Sequence, residues 1–219
     1  MIARLAIAAI VVSAAVPAVA QDAYTVAPQA YRKQLENEWV RVTRVHYAPH
    51  EKISEHGHPV RPSIYIYLTD GGPVLFKHEH GISGELAATR ASTKAGAYRM
   101  AAGRDETHIV DNASGLASDF LQVELKVPVD LKTFPARRTR EGAAVAPGAS
   151  KVEIDIPELR ITRVVCTGAG PCPAMNPAAD RPSLTIAFPS GDTAWRAAGA
   201  VAATNPPAGE YLVIEFSAR

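Results

Sequence analysis

Cysteine is scarce in this chain, with Cys166 and Cys172 the only two among 219 residues, which excludes a disulfide-dense scaffold. The pair stands six residues apart and either closes a small disulfide loop or remains as two buried thiols. A bridge so short would stabilise less by entropy than a long-range one. Net charge is equally lacking. Removing residues 1–20 takes away Arg4 and leaves 22 basic against 22 acidic residues, so there is no basic footprint for nucleic acid. The basic run Arg137, Arg138 and Arg140 stands among Pro135, Gly142, Pro147 and Gly148, a setting that reads as a solvated linker.

No long hydrophobic run occurs beyond the first twenty residues. There a short, singly positive start precedes an apolar stretch, Leu5 to Val16, broken by Ser13 and too short to span a bilayer comfortably. Ala18-Val19-Ala20 supplies the small-x-small pattern that signal peptidase reads. The expected mature chain begins at Gln21, in the periplasm or outside the cell, with no membrane association after cleavage. No cysteine follows the cut, which disfavours a lipoprotein anchor.

A helical period is also nearly absent; only Tyr31 to Asn37 suggests a turn or two of helix. Short runs of Val, Ile, Leu and Tyr separated by Gly, Pro, Asp and Asn predict an all-β chain. These runs recur. Val40-Arg-Val-Thr-Arg-Val45 matches Leu159-Arg-Ile-Thr-Arg-Val164 at an offset of 119, and Arg61-Pro-Ser-Ile-Tyr-Ile66 matches Arg181-Pro-Ser-Leu-Thr-Ile186 at 120. Gly71 and Gly191 keep that second offset, whereas Phe120 to Lys126 resembles Tyr211 to Ser217 at only 91. The order and near-constant offset predict a duplication whose second copy lacks about 29 residues from its middle.

All seven histidines precede residue 127, so the second copy cannot share their chemistry. His56-Gly-His58 sets two imidazoles at i and i+2, the same side of an extended strand. Fifty residues on, His108-Ile-Val-Asp-Asn112 follows Gly103 and precedes another strand. His78-Glu-His80 repeats the H-x-H spacing but reads as a solvent-exposed hairpin tip. His46 flanks Tyr47, and His50 falls in a turn spanning residues 49–52. Glu55 and Glu106 lie close to the candidate ligands, either as acid, base or supporting carboxylates or as ordinary loop residues. Tyr65, Tyr67, Tyr98 and Gln122 are candidates to line a cavity.

The order of strand, His56-x-His58, strand, Asp70-Gly71, then Gly96, Gly103, His108-x-x-x-Asn112 and a strand ending in Val123-Glu-Leu-Lys126 resembles the two motifs of the cupin superfamily. The resemblance covers residues 33–126 and extends weakly, through the repeat, over 151–219. It implies a cupin-type jelly-roll β-barrel, duplicated with the second copy shortened: residues 24–127 as the complete repeat, 128–150 as a linker and 151–219 as the degenerate copy. It further implies that His56, His58 and His108 point into the barrel and bind a divalent transition metal, iron, nickel, copper, zinc or manganese. The sequence departs from the family at Pro62 and Ser63, where a glutamate is usual, at Ala102, where a proline is usual, and in a longer step from Gly103 to His108. Two functions follow as expectations: a metal-dependent oxygenase or isomerase acting on a small organic molecule, or a non-catalytic module that binds a small ligand or sugar without metal. Neither assigns catalytic residues, and homo-oligomerisation stays open.

Overall fold

Strand alternation sorts the side chains of the first repeat onto two faces, and each face builds a different core. The computed structural model describes residues 21–82, 85–104, 106–130, 132, 134, 139–168, 172, 178, 180–200 and 206–217. The expected signal peptide, residues 1–20, and Arg137 and Arg138 of the basic run lie outside them.

One sheet has the order β1 (Tyr31–Glu36), β2 (Val40–Tyr47), β9 (Ser118–Leu125), β4 (Ser63–Tyr67), β7 (Tyr98–Ala101) and β10 (Thr139–Arg140). A second has the order β3 (Lys52–His58), β8 (Glu106–Asp111), β5 (Val74–Ile82) and β6 (Glu85–Arg90). The two enclose the interior of the first repeat as a jelly roll whose barrel is not closed by a continuous ladder. The third sheet has the order β11 (Ser150–Asp155), β12 (Leu159–Cys166), β15 (Gly209–Phe216), β13 (Ser183–Phe188) and β14 (Thr193–Arg196). The one described helix, α1 (Ala23–Val26), is a single turn whose N-terminus is capped by the Asp22 carboxylate.

The duplication is legible in register. Tyr31↔Val45 and Leu35↔Val42 on β1 and β2 recur as Ser150↔Val164 and Ile154↔Ile161 on β11 and β12, with the irregularity at the same step, Lys33/Leu35 and Val152/Ile154. Val40↔Leu125 recurs as Leu159↔Phe216, and Ser63↔Glu124 as Ser183↔Glu215. No described strand of the second repeat corresponds to β3, β5, β6 or β8, the sheet that carries the histidines. The missing residues are therefore one whole wall of the jelly roll.

That loss explains how the two repeats pack. Val42, Ile64, Ile66, Met100, Leu121 and Val123 project from the outer face of the six-stranded sheet, where they share one buried core with Leu159, Ile161, Leu184, Ile186, Leu212, Ile214 and Phe216 of the third sheet. Each such side chain contributes about 1.5–3 kcal/mol on burial, so the third sheet acts as a cover for the complete repeat. A polar contact reinforces it: Arg163, 1 % exposed, donates to the Gly96 carbonyl across the join and to Glu153 and Glu210 within its own repeat.

Three expectations need correction. The segment from Tyr31 is not a helical turn but β1, an edge strand with Arg32, Lys33 and Gln34 exposed, where pairing with β2 outweighs local helix preference. The segment 128–150 is not wholly a linker, because Thr139–Arg140 pairs with β7 and extends the first sheet. Tyr98 belongs to the core shared with the third sheet, so it does not line the interior as Tyr65 and Tyr67 do. The two cysteines form a disulfide with Cα atoms 5.2 Å apart.

Candidate metal centre

The H-x-H spacing alone would carry His56 and His58 to one side of β3, but their depth is set by a register shift between Ile53 and His56. After the shift, His56 pairs with His108 and His58 with Glu106 across the β3–β8 ladder. The next strand adds His78 in line with His108. Three neighbouring strands thus set His56, His108 and His78 in one cross-strand row. The chain preceding β3 adds a strap: the Gly57 amide donates to the Gln21 carbonyl, which fixes the first described residue against the H-x-H segment.

The structure brings the three expected ligands together. Ring centroids lie 4.9 Å apart for His56 and His58, 4.8 Å for His56 and His108, and 5.0 Å for His58 and His108, and one ring nitrogen from each lies within 4.8 Å of the others. His56 and His108 are buried and His58 is half-buried, so access is from the His58 side. The hydrogen bonds define the tautomers. His56 Nδ1 faces the Ser54 carbonyl at 2.8 Å and must donate, which leaves Nε2 to accept from the Tyr31 hydroxyl at 2.8 Å. His108 Nδ1 donates to Glu106 Oε1 at 2.9 Å, and its Nε2 is buried without a partner.

Burial pushes the His56 imidazolium pKa down to about 4, against the pull of the Ser54 carbonyl. For His58, burial and then the neighbouring His108 and His56 lower it to about 3. Both are neutral at neutral pH, as metal ligands must be. Glu106 behaves in the opposite way: burial opposes its charge, but hydrogen bonds from His108 and His78 and the proximity of Arg104 hold its carboxyl well below the usual range. It is the carboxylate that orients the His108 ring, as carboxylates do for histidines at many metal sites.

His78 departs from expectation. It lies within a long strand, not at a hairpin tip, is buried, and donates through Nε2 to the same Glu106 oxygen at 3.0 Å; its Nδ1 has no partner. His78, Glu106 and His108 form a second close group that shares His108 with the first. The alternation Val74-x-Phe76-x-His78 was the available signal, since Val74 and Phe76 face the same interior. The side chain of His80 lies outside the described residues. Glu55 is exposed and takes no part, and His50 sits in the expected turn with φ 60°.

The opposite wall is aromatic. Tyr31 and Tyr47 share a hydroxyl–hydroxyl hydrogen bond of 2.8 Å, and Tyr65, Tyr67 and Phe120 continue the lining. Burial raises Tyr65 to about 12 and also raises Tyr31 and Tyr47, so these three stay protonated donors. Gln122 is buried between Thr43 and Tyr65 in the ladder.

No family model matches the sequence, and no curated protein matches it. Among solved structures, a bacterial pirin, YhhW of Escherichia coli in complex with nickel(II), is 11 % identical, with 85 % of this chain and 90 % of that one covered at a TM-score of 0.53. A putative glyoxylate induced protein of Pseudomonas aeruginosa is 13 % identical, with coverages of 85 % and 79 % and a TM-score of 0.54. These alignments run through both repeats, and the complete one carries the His-x-His and His108 motifs on paired neighbouring strands. The fold shared with these structures is a cupin-type jelly roll. A cupin domain of Bordetella pertussis overlaps 44 % of this chain and 92 % of its own at 24 % identity, but its TM-score of 0.37 adds no weight.

Proposed function

We propose that this cupin binds one divalent transition metal through His56, His58 and His108 and uses it, in the periplasm or outside the cell, as an oxygenase or isomerase of a small organic molecule. The observation that carries the reading is the convergence of three imidazoles in which the buried His108 Nε2 has no hydrogen-bond partner. A buried, unsatisfied lone pair costs about 1–3 kcal/mol, and a bound cation removes that cost. The donor set fits iron, nickel, copper, zinc or manganese, with three nitrogens supplied and coordination positions left for small molecules. When bound, such a metal supplies Lewis acidity or redox chemistry.

The chain's own residues supply the rest. Glu106 fixes the His108 ring so that Nε2 faces His56 and His58. Ser54 does the same for His56 through its carbonyl. Tyr31 must release the His56 lone pair for a metal to take it, and its hydroxyl, still bonded to Tyr47, is then a donor at the edge of the site. Phe76, 5.0 Å from His108 between ring centroids, keeps water from that side. The nickel in the Escherichia coli pirin belongs to that protein, and it supports a metal here only by likeness of fold. Export is supported by the order of features in residues 1–20 and by the Cys166–Cys172 disulfide.

One observation favours the second reading, a metal-free ligand-binding module: the Tyr31 hydroxyl already satisfies His56 Nε2. Elemental analysis of exported wild-type protein beside His108→Ala separates the two. Stoichiometric metal lost in the variant supports the first; metal-free wild type that retains an organic ligand supports the second.

A further inference from the structure

Two cations face the same interior without a carboxylate partner among the described residues. Arg90 pairs in register with the buried Val74, and its guanidinium carbon stands 5.4 Å from the ring centroids of both Tyr67 and Phe120. Arg99 pairs with Tyr65 and lies 4.5 Å over that ring. Neither forms an ion pair among the described residues; Arg90 donates to the Ser118 hydroxyl and lies close enough to the Tyr67 hydroxyl to interact with it. The Nε atoms of Arg90 and Arg99 are shielded from solvent and have no hydrogen-bond partner among the described residues, and Tyr67, 1 % exposed, turns its hydroxyl to the same place.

The contrast with the other interior charges is informative. Glu106 accepts from two histidines and faces Arg104, and Glu124 faces Arg41. Among the described residues, Arg90 and Arg99 have no such carboxylate partner. Burying like charges together is unfavourable unless a counter-charge arrives. Burial lowers the Arg90 pKa, and the nearby Arg99 lowers it further. Both guanidinium groups lie within electrostatic reach of the metal site, since Tyr47 feels Arg90 and Glu106 together and Tyr65 feels Arg99 and Glu106.

We infer that Arg90, Arg99 and Tyr67 form the receptor for the carboxylate group of an organic acid, whose apolar body lies along Phe120 and Tyr65. A guanidinium stacked by its face on an aromatic ring keeps its N–H edge free, and that planar fork matches a carboxylate in two parallel hydrogen bonds. The aromatic walls offer surface to a carbon skeleton. Two tyrosine rings, Tyr31 and Tyr47, stand between Phe120 and His56, so an acid anchored on the arginines extends toward the histidines. As a statement about substrate class this rests on the metal-site reading, but anion binding itself does not.

The test is calorimetric titration of metal-stripped, full mature protein with benzoate, with its neutral isostere benzamide, and with inorganic phosphate. Benzoate should bind, benzamide roughly tenfold or more weakly, as expected for loss of a charge-assisted contact, and phosphate more weakly than benzoate. R90M and R99M should each weaken benzoate by a similar factor, while their thermal midpoints stay at or above wild type because an unbalanced charge has been removed. Equal binding of benzoate and benzamide, preference for phosphate, or unchanged benzoate affinity in both variants would overturn the assignment. The metal reading is scored separately on H108A: metal lost with benzoate retained supports both. Benzoate binding in a protein that takes no metal leaves the anion receptor standing and removes the metal.

Discussion

Replacing Glu106 by glutamine probes the site without removing a ligand. One carboxylate oxygen accepts from both His108 Nδ1 and His78 Nε2, at 2.9 and 3.0 Å, and the other faces Arg104 at 3.4 Å. An amide keeps one neutral acceptor and turns the other position into a donor facing a guanidinium. The Arg104 contact is 44 % exposed on the arginine side and its loss should matter little. The His108 contact is the one that orients a proposed ligand, and weakening such support costs about 10–100-fold in metal affinity. E106Q should therefore bind zinc one to two decades more weakly than wild type in competition with a chromophoric chelator, with an unchanged far-UV spectrum. H108A should lose binding altogether, and H78A should fall between wild type and E106Q. Wild-type affinity in E106Q would refute the assignment of Glu106 as the residue that orients His108. Loss in H78A as complete as in H108A would show that the second histidine group, not the first, holds the metal.

Three further outcomes follow from the fold and the chain's start. Leu212→Ala, at a fully buried position in the core shared by the two repeats, should cost about 2–5 kcal/mol in urea unfolding; a loss below that range would mean that the third sheet is not a packed cover. Thiol labelling of denatured, unreduced protein from its native compartment should modify nothing, and reduction should cost about 2 kcal/mol, the value for so short a loop; two free thiols would contradict the bridge. Intact mass of exported protein should place its start at Gln21, and retention of residues 1–20 would contradict cleavage.

Much of the fold was legible because duplication leaves two copies of one pattern. The offsets of 119, 120 and 91 are the pairings Leu35↔Val42 with Ile154↔Ile161, Ser63↔Glu124 with Ser183↔Glu215, and their neighbours. That His56, His58 and His108 come together was legible from strand parity and family resemblance. What was hidden depends on partners distant in sequence. Tyr31-Arg-Lys-Gln-Leu-Glu36 contains good helix formers, and only the edge of β2 makes it a strand. His78 seemed to end a hairpin because the strand that carries it runs on to Ile82. The arginine pair could not be seen at all, since Arg90 and Arg99 look like any alternating strand charges until the two sheets face each other.

The most direct measurement is the metal content of the mature, exported wild-type protein by elemental analysis, alongside H56A, H58A and H108A purified identically. One transition-metal ion per chain in wild type, absent from all three variants, is the predicted result. Wild-type protein that binds no metal at micromolar concentration, or variants that retain it, would contradict the three-histidine centre.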